Sequence, residues 1–213
     1  MQEQANVIEC YNKVADNYAE KFGDELSHKH LDRILLQSFA NENNGKGQFI
    51  DLGCGPGQTT KYLSDCGVAN IVGTDIAPAM VETAKRMHPA ISFDLADMLH
   101  LPYADNSIAA AVAFYAIVHF NDEQLMAAFK EIARVLQSDG QFLFSFHVGD
   151  ALVHHNDFLG HEVSIDFYFF NTEKVIELIC HAGFDIVDCI LAVKSNGRVL
   201  FTFDKKLKKQ VKS

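Results

Sequence analysis

Asp51-Leu52-Gly53-Cys54-Gly55-Pro56-Gly57 is the stretch whose reading decides the fold. It follows a short apolar run, Phe49–Leu52, and precedes a helical pattern over Gln58–Cys66. Glycines between a strand and a helix let the chain turn sharply and let a ligand approach the backbone. Dinucleotide-binding folds use such a turn as well, so the loop alone leaves the ligand open. Two details narrow it. The spacing is G-x-G-x-G, and Gln58 stands where a nicotinamide fingerprint has its third glycine. Asp51 brings a carboxylate into the turn, which is poor for cradling a pyrophosphate and suits an ammonium or a sulfonium.

On either side of this loop, short apolar runs alternate with helical segments. Phe49–Leu52, Ile71–Gly73, Ile91–Phe93, Ile108–Tyr115 and Phe142–Phe146 read as strands buried on both faces. Gln58–Cys66, Pro78–His88 and Asp122–Gln137 read as helices, the last with the apolar stripe Leu125, Phe129, Ile132 and Leu136. The alternation predicts right-handed crossovers and a parallel sheet with helices on both faces, a doubly wound α/β domain. Upstream, Val7, Tyr11, Val14, Ala15, Tyr18 and Phe22 recur at helical spacing. A second helix, capped by Ser27, is expected to bury Leu31, Ile34, Leu35 and Phe39. Downstream, the run from His147 to Asn171 departs from the alternation, and a helix spans Thr172–His181. Two last runs, Ile186–Val193 and Arg198–Phe203, are joined by the hairpin turn Ser195-Asn196-Gly197, which makes the final strand antiparallel to its neighbour. The expected organisation is a single domain over 1–213. It divides into a helical lid at 1–46, a ligand-binding core at 47–146, a cap insertion at 147–171, the last helix and strands at 172–204, and a basic tail at 205–213.

Composition excludes several classes. A chain of 213 residues, 48% hydrophobic and 22% charged, is that of an ordinary globular domain with a buried core. A net charge of -10 without a basic face argues against a nucleic-acid binder held by phosphate contacts. The one basic run, Lys205-Lys206-Leu207-Lys208-Lys209, reads as a solvated tail. No stretch reaches the roughly 18 apolar residues of a membrane span, and Met1-Gln2-Glu3-Gln4 is too polar to open a signal peptide. Five cysteines without a C-x-x-C pair point to reduced thiols in a cytoplasm.

Two further carboxylates complete the pattern. Asp75 ends the second strand about twenty residues beyond the glycines, where a carboxylate can accept both hydroxyls of a ribose. Asp97 follows the third strand in Asp97-Met98-Leu99-His100-Leu101-Pro102; alone it reads equally as a loop or capping aspartate. Taken together, the D-L-G-C-G-P-G loop, the G-T-D-I-A turn at Gly73–Ala77 and D-M-x-x-L-P at Asp97–Pro102 resemble the class I S-adenosylmethionine-dependent methyltransferase family, in its small-molecule, type 11-like branch. The resemblance covers residues 5 to 190. It implies a Rossmann-like doubly wound α/β sheet of seven strands in the order 3-2-1-4-5-7-6, with the last strand antiparallel and lid helices at the N-terminus. It also implies S-adenosyl-L-methionine as cofactor, released as S-adenosyl-L-homocysteine. Gly53, Gly55 and Gly57 would contact the methionine part, and Asp75 the ribose hydroxyls. Asp97 would face the adenine amine, with Met98 and Ile76 on the two faces of the ring. Asp51, Cys54, Met80 and Phe114 join the same cofactor-binding set. Tyr11-Asn12-Lys13-Val14-Ala15-Asp16-Asn17-Tyr18 resembles the family's lid helix, whose tyrosines close over the cofactor. Tyr11 and Tyr18 share a helix face, and core packing explains them equally well.

In open parallel sheets the ligand sits beyond the carboxyl ends of the strands. The fourth strand ends in Phe114-Tyr115-Ala116-Ile117-Val118-His119-Phe120, which is not the N/D-P-P-Y/F motif of DNA amino-methyltransferases. A small-molecule acceptor methylated by in-line displacement is expected, with no nucleic acid and no membrane as partner. His119 and His147 are the candidate bases, each at a strand's carboxyl end and each suited to neutral pH. His147, His154, His155 and His161 do not follow a metal-ligand spacing, and no metal is expected. Together with Phe167-Tyr168-Phe169-Phe170 they suggest a hydrophobic cap with polar groups facing inward. A nicotinamide-dependent oxidoreductase and a non-catalytic cofactor-binding regulator stay open as alternatives, because function lives in the site and not in the fold.

Overall fold

The computed structural model describes residues 4–193 and 199–206, those from 191 onward by their backbone alone. Its centre is β1 (Gln48–Leu52), in which every residue after Gln48 is buried because helices cover both faces of the sheet. β2 (Ile71–Asp75) and β3 (Ser92–Leu95) extend the sheet to one side, all parallel. β4 (Ile108–Phe114) and β5 (Leu136–His147) extend it to the other, again parallel. β8 (Asp188–Val193) and β9 (Val199–Lys206) complete it, with β9 antiparallel to both β5 and β8. The order β3-β2-β1-β4-β5-β9-β8 is the expected 3-2-1-4-5-7-6 arrangement, since β6 (Leu152–Phe158) and β7 (His161–Tyr168) pair elsewhere. The turn Ser195-Asn196-Gly197 lies outside the described residues. The chain reverses its direction of travel between β1 and β4, so the loops following those two strands part and open a crevice.

The helices pack on the sheet through apolar stripes. They are α4 (Gln58–Asp65), α5 (Pro78–Met87), α6 (Asp122–Val135) and α7 (Thr172–His181). Asn121 starts α6 with a capping box: its side chain accepts from the Gln124 N–H, and the Gln124 side chain returns the bond to the Asn121 N–H. Leu125, Phe129 and Ile132 then face Phe142 and Phe144 of β5, whose rings stack 4.9 Å apart. α6 ends at Val135, two residues earlier than its stripe suggests. Leu136 opens β5 opposite Ile108, and the register then slips so that Ala110 faces Gln141. A buried leucine serves either element, so periodicity could not mark this boundary.

The N-terminal segment forms α1 (Gln4–Phe22), α2 (Glu25–His28) and α3 (His30–Asn43). Ser27 is not a cap; it lies within α2 and donates to the Asp24 carbonyl. α3 buries Asp32, Leu36, Phe39, Ala40 and Asn43, while Ile34 is 50% exposed. The stripe is rotated from the expected one because two of its members are polar. Asn43 pairs there with Phe39 O and Gln141 Oε1.

β6 (Leu152–Phe158) and β7 (His161–Tyr168) form a separate two-stranded hairpin in the expected cap region. Val163 and Ile165 alternate inward to pack with Cys10 of α1. The cap histidines do not face inward: His154 and His155 are exposed, and His154 Nδ1 meets Asp166 at 2.6 Å. The ribbon's alternation gives its inner face to the β-branched residues and leaves the His154 and His155 imidazoles on the exposed side. Lys205 and Lys206 lie in β9 opposite Phe142 and Gln141, so the basic run starts inside a strand and not in a free tail. Among the described residues no helix is long and apolar enough to cross a membrane.

Candidate active site

The glycine loop leaves β1 with left-handed backbone at Gly53, Gly55 and Gly57, where φ is 65°, 54° and 88°. What a side chain would meet differs at each. A Cβ on Gly53 would lie 2.5 Å from the Ala116 Cβ, and one on Gly57 would lie 2.8 Å from the Phe93 ring. A Cβ on Gly55 would meet nothing nearer than Tyr18 at 3.9 Å. Gly53 and Gly57 therefore permit close packing, while Gly55 faces open space. Asp75 at the end of β2 fastens this turn: one carboxylate oxygen accepts the Gly55 N–H and the other the Ala77 N–H, both at 2.9 Å. Asp51 is buried and accepts the Thr60 hydroxyl at 2.6 Å. Burial pushes the Asp51 carboxyl up to about 7 and raises that of Asp75 as well.

A cavity of about 1200 Å³, mouth included, opens over this loop. Its floor carries Asp51, Gly53, Cys54 and Gly55. The ends of β2 and β3 contribute Asp75, Ile76, Asp97 and Met98, and α5 contributes Met80. Phe114 and His119 stand at the carboxyl side of β4, and Tyr11 and Tyr18 of α1 form the roof. Gly57 and His147 are not on the wall. Gly57 faces Phe93, and His147 lies behind Tyr115, with ring centroids 5.0 Å from Tyr115 and 5.6 Å from Phe169. Asp97 caps the Leu99 N–H at 2.9 Å, and the Gln4 amide of the lid donates to both of its carboxylate oxygens at 3.1 Å.

Among the wall residues that the sequence reading did not place in the site, Lys29, Gln58 and Tyr115 stand out. Lys29, between α2 and α3, is the one lysine or arginine on the wall among the described residues. It pairs with Glu25 at 2.8 Å and lies 4.2 Å over the Tyr115 ring. Gln58 turns its Nε2 to Glu25 at 3.4 Å and leaves a buried Oε1 without a partner. Tyr115 holds φ at 54°, rare for a bulky residue and characteristic of functional sites. Its N–H bonds to both the Ser145 carbonyl and hydroxyl, which keep it in place. A four-residue helix and a single glutamine carry no periodic signal; the tyrosine following a buried strand was the only visible cue.

At the acceptor side His119 is 8% exposed and fully bonded. Its Nδ1 lies 2.7 Å from the Asp166 carbonyl and its Nε2 2.7 Å from the Tyr11 hydroxyl. Burial holds its pKa at about 4, so the ring is neutral at physiological pH. No group of three or more histidine, cysteine or carboxylate side chains among the described residues has a metal-binding arrangement.

Comparison with known proteins fits this geometry. The methyltransferase domain family matches residues 49–140, the span from β1 into β5. An O-methyltransferase of Pyrenophora dematioidea is 29% identical over 168 residues, covering 75% of this chain and 62% of that protein. The chain is thus similar to methyltransferases over the span from β1 into β5, and its fold is that of S-adenosylmethionine-dependent methyltransferase structures. An O-methyltransferase of Penicillium expansum is 28% identical to this chain over 214 residues, 91% of this chain and 76% of the relative. The magnesium protoporphyrin IX methyltransferase of Synechocystis PCC 6803, solved with S-adenosylmethionine bound, superposes with a TM-score of 0.74. The match covers 97% of this chain and 98% of that one at 14% identity, a likeness of fold. The chain spans between 34% and 62% of the length of the first curated relatives it matches. S-adenosylmethionine is the molecule bound in the Synechocystis neighbour. The wall here offers what such a molecule would need: carboxylates, the unpartnered Gln58 Oε1, one lysine, and an open face at Gly55.

Proposed function

We propose that this protein moves a methyl group from S-adenosylmethionine to an oxygen atom of a small organic molecule. One observation carries the reading: the glycine loop and the His119–Tyr11 pair stand on the wall of the same cavity, so a donor and an acceptor meet without leaving it. The wall's carboxylates Glu25, Asp32, Asp51, Asp75 and Asp97 face a single lysine, Lys29, which favours a cationic cofactor and disfavours a polyanion such as nucleic acid. The names of the two fungal relatives support oxygen as the receiving atom.

In this reading the open face of Gly55 takes the methionine part. Asp51 and Gln58 Oε1 serve its ammonium, and Lys29 serves its carboxylate. Asp75 takes the ribose hydroxyls and Asp97 the adenine amine, with Ile76 and Met98 on the two faces of the ring; Cys54, Met80 and Phe114 complete the enclosure. The helices before residue 47 act as the lid and residues 147–171 as the cap of one functional unit. The cofactor supplies an electrophilic methyl group, and the chain supplies alignment and exclusion of water. Calorimetry with S-adenosylhomocysteine tests the cofactor half of the reading. Release of S-adenosylhomocysteine from a panel of phenols, carboxylates and amines tests the other half. Micromolar binding with turnover on at least one oxygen acceptor is expected; binding without turnover on any oxygen acceptor counts against oxygen transfer.

A further inference from the structure

Tyr11 comes from the lid helix and His119 from the loop after β4, and they meet on the cavity wall. Their protons follow from the partners. The Asp166 carbonyl can only accept, so His119 Nδ1 carries the ring hydrogen and Nε2 carries a lone pair. The Tyr11 hydroxyl, 2.7 Å from Nε2, therefore donates to it. With its proton committed to His119, Tyr11 presents only oxygen lone pairs to anything else in the cavity. Burial keeps both groups uncharged, raising the Tyr11 hydroxyl and lowering the imidazole. Phe167 packs edge-on against the His119 ring at 4.7 Å, and Phe158 against Tyr11 at 6.4 Å, so the pair is held from two sides by apolar rings.

The charges nearby set what this acceptor atom can receive. Asp75 acts electrostatically on Tyr11, and Asp97 stands on the same wall. Lys29 is engaged by Glu25 elsewhere on the wall. An anionic acceptor would bring a second acceptor atom and a like charge against Tyr11. An ammonium would have to shed its proton to a weak base before attack. A neutral hydroxyl fits: it donates to Tyr11 and keeps a lone pair for the methyl group.

We infer that Tyr11 is the catalytic residue that receives the methyl acceptor, that His119 positions it, and that the pair selects a neutral phenolic or enolic hydroxyl over a carboxylate or an amine. This rests on the methyl-transfer reading above. The acceptor hydroxyl donates to Tyr11 Oη. As the acceptor oxygen bonds to the methyl carbon, the carbon–sulfur bond breaks and leaves its electron pair on sulfur. The hydroxyl proton passes to Tyr11 Oη, and the Tyr11 proton passes to His119 Nε2. One positive charge disappears from sulfur and one appears on the imidazolium, which returns its proton to solvent after product release. A base this weak discriminates against alkyl alcohols, which hold their proton too firmly.

Nitrogen-15 NMR of the imidazoles in the S-adenosylhomocysteine complex tests this without turnover, using catechol, benzoate and benzylamine as probes. His119 should show a protonated Nδ1 and an unprotonated Nε2, and catechol alone should move the Nε2 resonance. In Tyr11→Phe the Nε2 resonance should shift as its donor is lost. Catechol should then have no effect, and S-adenosylhomocysteine affinity should stay within about threefold of wild type by calorimetry. With catechol as substrate, turnover should fall by roughly 10²-fold or more, the range for losing proton transfer in the transition state. A response to benzoate or benzylamine, or no response to any probe, overturns the inference. So does a Tyr11→Phe variant that loses cofactor binding while keeping the catechol response, since Tyr11 would then be a cofactor contact only. Failure of the wild type to bind S-adenosylhomocysteine overturns the cofactor reading itself, and this inference with it.

Discussion

Replacing His119 with asparagine should change the acid dependence of stability by an amount that the structure sets. Asparagine keeps a donor for the Asp166 carbonyl and deletes the nitrogen that accepts from Tyr11. In the folded protein burial lowers the His119 pKa from its ordinary 6.5 to about 4. A histidine depressed in this way favours the folded state less as the pH drops, because the unfolded chain takes up a proton below 6.5 that the folded chain refuses until about 4. Between pH 7 and pH 4.5 the penalty spans the interval from 6.5 to 4.5, at about 1.4 kcal/mol per pH unit. Allowing for the small folded fraction that is protonated at pH 4.5, wild type should lose about 2.5 kcal/mol on account of this residue. Asp51 works the other way, since its raised pKa adds stability as the pH falls. The informative quantity is therefore the gap between wild type and His119→Asn at each pH. At pH 7 the variant should be the less stable, having lost a buried hydrogen bond. By pH 4.5 the gap should have narrowed by that same amount, about 2.5 kcal/mol, in urea denaturation. An unchanged gap would show that His119 titrates normally, and the neutral Tyr11–His119 pair would have to be abandoned.

The remaining predictions concern the cofactor. Gly55→Val puts a side chain into the open face of the loop and should abolish S-adenosylhomocysteine binding by calorimetry; the left-handed φ adds strain of about 1–2 kcal/mol, so the variant should fold but melt earlier. Asp75→Ala should weaken binding by about 1–3 kcal/mol and Asp75→Glu by less, and wild-type affinity in both would leave Asp75 as a fastener of the glycine loop only. Asp51 is largely protonated at pH 6 in the free protein, and a bound sulfonium and ammonium favour its charged form. S-adenosylmethionine affinity should therefore rise from pH 5.5 to 7.5, with proton release seen as a buffer-dependent binding enthalpy that Asp51→Asn removes.

Legibility followed the physics of each element. The strand-to-helix turn at Gly53–Gly57 was readable because left-handed backbone with close neighbours demands glycine, and because parallel strands buried on both faces write themselves as apolar runs. The face of α3 was misread because Asp32 and Asn43 are buried with partners that only the tertiary structure supplies. The inward cap histidines failed for a related reason: a hairpin alternates by register, and no local signal marks which side meets α1. Lys29 was invisible because a charged residue beside a four-residue helix looks like any solvated one, and the role of Gln58 because a single glutamine carries no periodic signal. Of the two histidines singled out, the fold puts His119 on the cavity wall and sets His147 behind Tyr115.

The lid is tied down by a polar seam. Lys13 and Asn17 donate to carbonyls of the β6–β7 hairpin, Asn12 accepts from the Ala79 N–H, Asp16 pairs with Arg86, and Gln4 reaches Asp97. Most of these contacts are exposed and individually weak, so the seam can be undone one bond at a time. Yet the helix it secures both roofs the cofactor's cavity and carries Tyr11. On the proposed reading, a spent cofactor leaving by way of the roof would draw Tyr11 away from the acceptor, so the methylated product would depart no later than the nucleoside. Order of release would then be a property of a single helix, with no separate gate for either molecule.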